Sequence, residues 1–329
     1  MAQTKLSPQV RYNLERQAMD AFAKRSVDAE ELTKALFQST AERVGKQIDE
    51  LYIRYGSAQG LSAKDMRKLA DRMEITKFQD AARLAVQNRD FSPETNKWLK
   101  TYNLKMRASR LELAKAQIEL ELLTTYSDFE NLMASHMHFE AMTEYKRQAG
   151  ILGNSVGNVP DRITSIVNAD FYGNNFSQKI WDRTGHFANT RKEVFKVMTE
   201  IFTDMDGFKK QRRYLMERMK VSSYEATRLI KTEMARVNAD TRLAMYEEEG
   251  FTHYQYIAEF GACEICADLD GMVYEKGEAQ SGYNYPILHP NCRCSTLGIV
   301  NLKRRDGTEI IEDYINGYEN QYSNIHGMR

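Results

Sequence analysis

The chain has 329 residues, and its 46 basic side chains are balanced by 46 acidic ones, so the formal net charge is zero. This balance excludes a strongly basic nucleic-acid coat and a strongly acidic protein as descriptions of the whole molecule. The mean hydropathy is -0.61, and no apolar run approaches the ~18 residues that a membrane-spanning helix requires. The first ten residues, MAQTKLSPQV, lack the apolar stretch of a secretion signal. We therefore expect a soluble protein that is neither secreted nor bound to a membrane.

Residues 1–150 are predicted to form a helical domain with long helices. Between Leu61 and Ala149 there is no glycine and a single proline, Pro93; these two residue types cost roughly 1 and 3 kcal/mol inside a helix. The order Ser92-Pro93-Glu94 is typical of a helix start. Residues 93–149 are predicted either as one helix or as an antiparallel pair broken near residues 124–127. One helical face carries Leu104, Leu111, Ile118, Leu122, Tyr126, Phe129, Met133 and Met137.

The second half of the chain is predicted to contain a linker, a helical region and a strand-rich module. Residues 151–160 contain glycine, asparagine and proline and are predicted to be a linker. Residues 161–250 are predicted to be helical, with a capping box at Ser222 and Glu225 opening a helix that ends at Gly250. Alternation from Tyr254 to Ala258 predicts a strand. Residues 251–300 are therefore predicted to form a small strand-rich module, followed by a tail at 301–329.

These patterns together predict a fold that is mainly α. We expect an N-terminal helical bundle, or long antiparallel helices, and a small C-terminal α+β domain stapled by a metal ion.

All four cysteines fall in the strand-rich module. They occur as Cys263-x-x-Cys266 and as His289-x-x-Cys292-x-Cys294. Two such pairs, close together in the chain, favour a tetrahedral Zn²⁺ site, because zinc in structural sites prefers four sulfur or nitrogen ligands. Cys263, Cys266 and Cys292 are assigned to three of the four places. The fourth belongs to Cys294 or to His289, and either can support the ion from outside if it is not the ligand.

Other cysteine chemistries fit the sequence less well. A thioredoxin-like redox pair would sit between a strand and a helix of a βαβ unit, which is not the pattern here. Two structural disulfides are disfavoured in a chain without a secretion signal. A zinc deaminase needs an H-x-E segment followed by P-C-x-x-C, and this combination is missing, because Ala262 and not a proline precedes Cys263. The sequence also has no P-loop, GxGxxG or HExxH motif. We therefore predict a structural zinc ion and no enzymatic activity.

A basic segment at residues 209–220 is the one candidate for nucleic-acid contact. Its sequence, KKQRRYLMERMK, favours a solvated helix face beside buried apolar residues, and the alternative is a patch that contacts phosphates of double-stranded DNA. The module that carries the cysteines is acidic, with 6 basic and 11 acidic residues in 251–329, which argues against a separate DNA-reading domain there. The six basic side chains of the segment are Lys209, Lys210, Arg212, Arg213, Arg218 and Lys220.

From about residue 221 to residue 296 the chain resembles the phage Mu F-like family of head morphogenesis proteins, also called minor head or minor capsid proteins. The matching pieces are, in order, SSYEATRLIKTEMARVNADTR, EEEGFTHYQYIAE, CEICADLDGMVY and YPILHPNCRC. Two departures stand out: Glu259-Phe260-Gly261-Ala262 lacks the arginine that members tend to have before the first cysteine, and Pro286-Ile287-Leu288 replaces two prolines. The five cysteine and histidine candidates are all present.

The resemblance implies a low-copy protein of a tailed-phage head. Members associate with the portal protein during assembly in the host cytoplasm and remain inside the head near the genome, and some are linked to DNA contact and ejection. We therefore expect the portal protein and a major capsid or scaffold protein as partners, with packaged double-stranded DNA as a further possible partner. Residues 301–329 are too few to hold the toxin or transferase domain that some members carry.

Overall fold

The computed structural model describes residues 6–56, 110–152, 159–203 and 208–299, together with Leu84, Ser92 and Thr95. Helices dominate these residues, which confirms the mainly α fold class. They are α1 (Pro8–Gly56), α2 (Arg110–Leu152), α3 (Pro160–Val167), α4 (Phe176–Trp181), α5 (His186–Thr203), α6 (Phe208–Glu248) and α7 (Glu264–Ala267).

Helix α2 is continuous through residues 124–127, so the predicted break there is wrong. The hydroxyls of Thr124 and Thr125 donate to the carbonyls of Leu120 and Glu121 at 3.0 and 2.8 Å, which satisfies them within the helix. At the predicted helix start, the Thr95 amide donates to the Ser92 hydroxyl at 3.1 Å, which is the bond that an N-cap serine accepts. Pro93 and Glu94 lie outside the described residues, so the helix start remains a prediction. Residues 96–109 lie outside the described part of the chain. The predicted apolar face is fully buried at Ile118, Leu122, Tyr126, Phe129, Met133 and Met137.

Helix α6 runs without interruption past Ser222, so the capping box predicted there is wrong. The Ser222 hydroxyl donates back to the carbonyl of Arg218 at 3.1 Å, and it lies 2.9 Å from the hydroxyl of Thr190. A serine inside a helix can satisfy its hydroxyl in this way instead of capping a new one.

The end of α6 at Gly250 is confirmed in detail. Gly250 has a φ of +71°, and its amide donates to the carbonyl of Glu247 at 3.4 Å. The amide of Phe251 donates to the carbonyl of Tyr246 at 3.0 Å, and the two rings pack with centroids 5.2 Å apart. These bonds and the accompanying apolar contact form a Schellman motif.

The chain divides into two compact units, each assembled from separate segments. The first contains Met1–Glu31, Met133–Asp170 and Thr227–Arg329, and the second contains Leu32–Leu132 and Phe171–Ala226. The linear scheme of domains drawn from the sequence remains a prediction. At the predicted linker, α2 continues to Leu152 and α3 begins at Pro160. Residues 153–158 and the tail at 301–329 lie outside the described residues.

The second unit has an apolar core built from four helices. Within it, the hydroxyls of Thr40 and Thr125 lie 2.6 Å apart in a buried contact, and the ring of Phe37 meets that of Tyr126 edge-on at 5.3 Å. The buried members of the core are Ala41, Val44, Ile48, Ala114, Ile118, Leu122, Val194, Val197, Met198, Leu215 and Met219. Leu215 and Met219 belong to the basic segment, whose apolar face is thus buried.

The first unit contains a three-stranded antiparallel sheet. Strands β1 (His253–Ile257), β2 (Val273–Glu275) and β3 (Ser295–Ile299) lie in the order β2-β1-β3, so β1 is central. The strand predicted from Tyr254 onward is confirmed as β1. Because β1 is covered on both faces, Gln255 is buried as well as the tyrosines, and its amide donates to the carbonyl of Gly271 at 3.1 Å.

The two faces of the sheet pack on different helices of the first unit. On one face, the Tyr246 hydroxyl of α6 donates to the Thr296 carbonyl at 2.9 Å, and the Tyr285 hydroxyl donates to the Ala239 carbonyl at 2.8 Å. On the other face, Tyr12 and Met19 of α1 join an apolar cluster with Ile257, Leu297 and Ile299. The sheet is therefore held between helices on both sides, which fixes the loops at its end.

Candidate metal centre

The pairing of β1 with β3 brings the two cysteine pairs together. Ile257, the last residue of β1, lies opposite Ser295, the first residue of β3. The loop that leaves β1 carries Cys263 at the N-cap of α7 and Cys266 within α7, and the loop that enters β3 carries Cys292 and Cys294. In an antiparallel pair these loops meet at the same end of the sheet, although the cysteine pairs are separated by about 26 residues of chain.

The five predicted ligand residues converge in two groups of three that share Cys266. One group is Cys263, Cys266 and His289, and the other is Cys266, Cys292 and Cys294; within each group the donor atoms lie within 4.8 Å of one another. The Sγ atoms of Cys266 and Cys292 are 3.9 Å apart. Ligands at about 2.3 Å from a tetrahedral zinc ion lie roughly 3.8 Å from one another, so this spacing suits a shared ion. These side chains could hold a metal ion.

His289 presents its Nε2 atom to the thiols. This atom lies 3.2 Å from the Sγ atoms of both Cys263 and Cys266. The other ring nitrogen, Nδ1, lies 2.9 Å from the carbonyl oxygen of Pro290. A histidine that donates from Nδ1 to a carbonyl keeps the Nε2 lone pair available, which is the arrangement that orients metal-binding imidazoles.

A tight turn holds His289 and Cys292 on the same side. The Cys292 amide donates to the carbonyl of His289 at 3.1 Å, and Asn291 between them adopts a φ of +65°. The Asn291 amide also donates to the hydroxyl of Thr232 on α6 at 3.2 Å. The turn is therefore anchored to a long helix, which limits its freedom in the absence of an ion.

The protonation of each thiol in the cluster depends on the neighbouring thiols. All four cysteines are free, and three of them are buried. Hydrogen bonds from Cys266 and Cys294 lower the pKa of Cys292, whereas the hydrogen bond with Cys292 raises the pKa of Cys266. One thiolate is thus favoured at the expense of its neighbours. A bound cation removes this competition, because it stabilises several thiolates at once.

Two further features near the cysteine cluster were not predicted from the sequence: the buried hydroxyl of Tyr256 and the ion pair between Arg293 and Glu259. The hydroxyl of Tyr256 is buried, and burial together with the thiols of Cys292 and Cys294 raises its pKa. It therefore stays protonated and is available as a donor to a thiolate. Arg293 pairs with Glu259 at 2.7 Å, which ties the two loops together. The alternating pattern of residues 254–258 predicted Tyr256 only as a strand residue. No local sequence pattern indicates the Arg293–Glu259 pair.

The structure places half of the basic segment in ion pairs. Arg212 binds both carboxylate oxygens of Asp49 at 2.6 and 2.7 Å. Arg218 pairs with Glu193, and Lys220 pairs with Glu217, each at 3.2 Å. The remaining three basic residues, Lys209, Lys210 and Arg213, are exposed. The segment is thus an amphipathic stretch of α6, and its contact with DNA stays a prediction.

Comparison with known protein families finds a match, and it covers the segment that contains the cysteines. The family model described as Phage Mu protein F like protein matches residues 192–297. Over this segment, about a third of the chain, the sequence is similar to the phage Mu F-like family. The match begins about 30 residues before residue 221, where the resemblance seen in the motifs begins. It includes all five predicted ligand residues. The family suggests a phage minor head protein and a location in the virion. No curated protein and no solved structure matches the chain.

No helix in the described part of the chain combines the length and the apolar character that crossing a bilayer demands.

Proposed function

We propose that this protein is a structural component of a tailed-phage head. It would act in head morphogenesis inside the capsid, at the portal vertex, in contact with the portal protein and with a major capsid or scaffold protein. The observation that carries the proposal is the Mu F-like match over residues 192–297. The cysteine cluster supports a structural role, because its donors converge on each other and close the end of a small sheet.

The head location is tested by assembling particles with and without this protein. Expression of the phage head genes with a tagged copy should yield purified heads that contain the chain at low copy number, and crosslinking should join it to the portal protein. Release of the chain only after the particle is opened would place it inside. Heads that lack the chain, or a chain removed by protease treatment of intact particles, would contradict the proposal.

The second part of the proposal is that the cluster holds a structural zinc ion. Zinc bound by thiolates would join the loop after β1 to the loop before β3. Its binding free energy would stabilise a module whose strands are short and whose apolar core is small. Elemental analysis of reduced, purified protein should find one equivalent of zinc. Cys266→Ser should lose it, because Cys266 belongs to both groups of donors. The control is Glu264→Gln, an exposed change in the same turn that removes no thiol.

Direct contact with packaged DNA is the alternative role. The exposed side chains of Lys209, Lys210 and Arg213 favour it, and the ion pairs of Arg212, Arg218 and Lys220 weigh against it because they leave less positive charge for phosphates. A salt titration of duplex binding decides the question. Binding that falls steeply with salt and is lost when the three exposed residues become glutamine would support it; absence of binding at low salt would contradict it.

We also propose that the protein is not an enzyme. A cluster of four thiols and one imidazole can fill the coordination sphere of zinc, which leaves no open position for a substrate or an activated water. Hydrolytic turnover that depends on zinc and disappears with Cys266→Ser would contradict this part of the proposal.

A further inference from the structure

A cavity of about 180 Å³ lies within the first unit beside the metal centre, and Cys294 belongs to the lining of the cavity as well as to the thiol cluster. Residues 18–25 of α1, 143–147 of α2, 235–242 of α6 and 293–295 at the start of β3 contribute to its wall. The cavity therefore lies where three helices meet the sheet. Its volume is enough for several water molecules, and so for one small polyatomic ion.

The wall of this cavity is rich in arginine. Four of its lining residues are Arg25, Arg147, Arg242 and Arg293, and among the described residues Glu144 is the one carboxylate in the lining. Arg25 is paired with Glu140 at 2.5 Å, and Arg293 is paired with Glu259 at 2.7 Å. Four arginines thus line one cavity, and each is paired with a carboxylate.

The acidic partners have little accepting capacity left. Both oxygens of Glu144 accept from Arg147, and Oε1 also accepts from Arg242 and Gln148. Glu140 uses both oxygens for Arg25. Glu15, the second partner of Arg147, also accepts from Gln148 and Ser295, so the acceptors of these three carboxylates are occupied by donors of the protein.

The arginines, by contrast, keep donors in reserve. A guanidinium carries five N–H groups, one more than the four lone-pair sites of a carboxylate. The Nη1 atom of Arg147 is buried and has no hydrogen-bond partner among the described residues. The hydrogen bonds of Arg25 and Arg242 to described residues use Nε and Nη2. The cavity thus combines unused guanidinium N–H donors with carboxylates whose acceptors are already occupied.

We propose that this cavity binds a small oxyanion of the phosphate class. Guanidinium groups match the geometry of phosphate oxygens and bind them through charge-assisted hydrogen bonds. The anion would supply the acceptors that the arginines lack, and would join α1, α2 and α6 to the start of β3. The phosphate group could come from free phosphate or from a phosphodiester of nucleic acid. The inference does not depend on the proposed head location or on zinc.

The first test measures binding to the full chain directly. Inorganic phosphate is titrated with the protein while the phosphorus NMR line width and the melting temperature are followed, at an ionic strength kept constant with sodium chloride. We expect saturable broadening of the phosphate line and a saturable rise in the melting temperature. A line width that does not change with added protein would overturn the proposal.

Phosphate stabilises many proteins because it is excluded from their surface. Variants of the cavity lining distinguish binding in the cavity from this general effect. Ala18→Leu places a larger side chain in the lining while every arginine remains, and it should abolish the broadening. Ala35→Leu, at an exposed position of α1, should not. Should Ala18→Leu fail to fold, Arg25→Gln against the exposed Lys24→Gln gives the same comparison. Equal broadening in the lining variant and its control would overturn the site.

A short DNA duplex at matched phosphate concentration identifies the source of the group. If the duplex displaces inorganic phosphate, the site takes phosphodiesters; if it does not, the site takes the free ion. Sodium chloride that displaces phosphate with equal effectiveness would show nonspecific charge screening, and this result too would contradict the proposed site.

Discussion

Gly298 of β3 lies directly against the ring of Tyr246 on α6. A Cβ atom at this glycine would stand 2.6 Å from Cε1 and 2.8 Å from Cδ1 of that ring. The ring cannot easily retreat, because the Tyr246 hydroxyl is bonded to the Thr296 carbonyl at 2.9 Å and the side chain is fully buried. The absence of a side chain at position 298 therefore sets how closely the sheet approaches the helix.

Gly298→Ala is accordingly expected to destabilise the first unit by about 1–3 kcal/mol, the usual cost of overpacking a core. Urea unfolding followed by circular dichroism measures the loss. Gly277→Ala is the matched control, since nothing lies within 4 Å of its Cβ position. An alanine at 298 that is as stable as the control would show that the ring of Tyr246 moves aside without cost.

Gly250 gives a second prediction, based on backbone conformation. Gly250→Ala should lower stability by about 1 kcal/mol, because its φ of +71° is unfavourable for a residue with a Cβ atom. Gly150→Ala should have the opposite effect, a gain of roughly 0.5–1 kcal/mol, because Gly150 lies in α2 with open space around its Cβ position. Thermal melting of the two variants beside the wild type measures both effects. Shifts of the same sign would contradict the conformational explanation.

The Schellman end of α6 and the buried stripe of α2 were predictable because they depend on residues close together in the chain. Gly250 follows the last helical turn, and the stripe from Ile118 to Met137 repeats at steps of three and four. The convergence of the cysteines was predictable for a related reason: a C-x-x-C turn aims two thiols at one point.

Other features could not be predicted because distant parts of the chain determine them. The pattern at Ser222 fits both a capping box and an internal serine, and the contact with Thr190, 32 residues away, distinguishes the two. Arg147 pairs with Glu15 across 132 residues, which no local pattern indicates. The cavity rich in arginine was missed for the same reason, since its lining comes from four separate segments.

Glu144 is expected to make the first unit sensitive to acid. Burial alone would raise its pKa, but Arg147 and Arg242 outweigh burial and lower it. Because the pKa is lower in the folded state, the stabilisation is complete at neutral pH and declines as the pH falls below the ordinary glutamate value of about 4.3. Glu144→Gln should cost about 3–5 kcal/mol at pH 7, since it leaves two arginines without their shared carboxylate.

The measurement is urea unfolding of the wild type and Glu144→Gln between pH 7 and pH 3. The difference between the two proteins should shrink toward the acid end, because the unfolded wild-type chain there binds a proton at Glu144 that the folded chain does not bind. Glu31→Gln, an exposed change on α1, should behave as the wild type at every pH. A difference that stays constant with pH would show that the charge of Glu144 is not responsible.

Removal of the metal should loosen the loops of the centre before the helices. If zinc holds the loop after β1 to the loop before β3, a chelator should raise amide hydrogen exchange in residues 258–272 and 286–294 first. The end of α6 should follow, because Tyr285 and Tyr246 connect it to the module. Helix α5, which belongs to the second unit, should keep its protection. Simultaneous loss of protection in both units would contradict separate stabilisation by the ion.

The fourth ligand is expected to be His289. Its Nε2 atom lies 3.2 Å from two of the thiols, and the carbonyl of Pro290 fixes the ring from its other side. Cys294 also lines the neighbouring cavity, where it is suited to support the ion without binding it. His289→Ala should therefore lose stoichiometric zinc, whereas Cys294→Ala should retain it with weaker affinity. Cobalt substitution measures this directly, because the visible spectrum reports the number of thiolate ligands. A spectrum of four thiolates in the wild type, or zinc retained in His289→Ala and lost in Cys294→Ala, would assign the fourth position to Cys294.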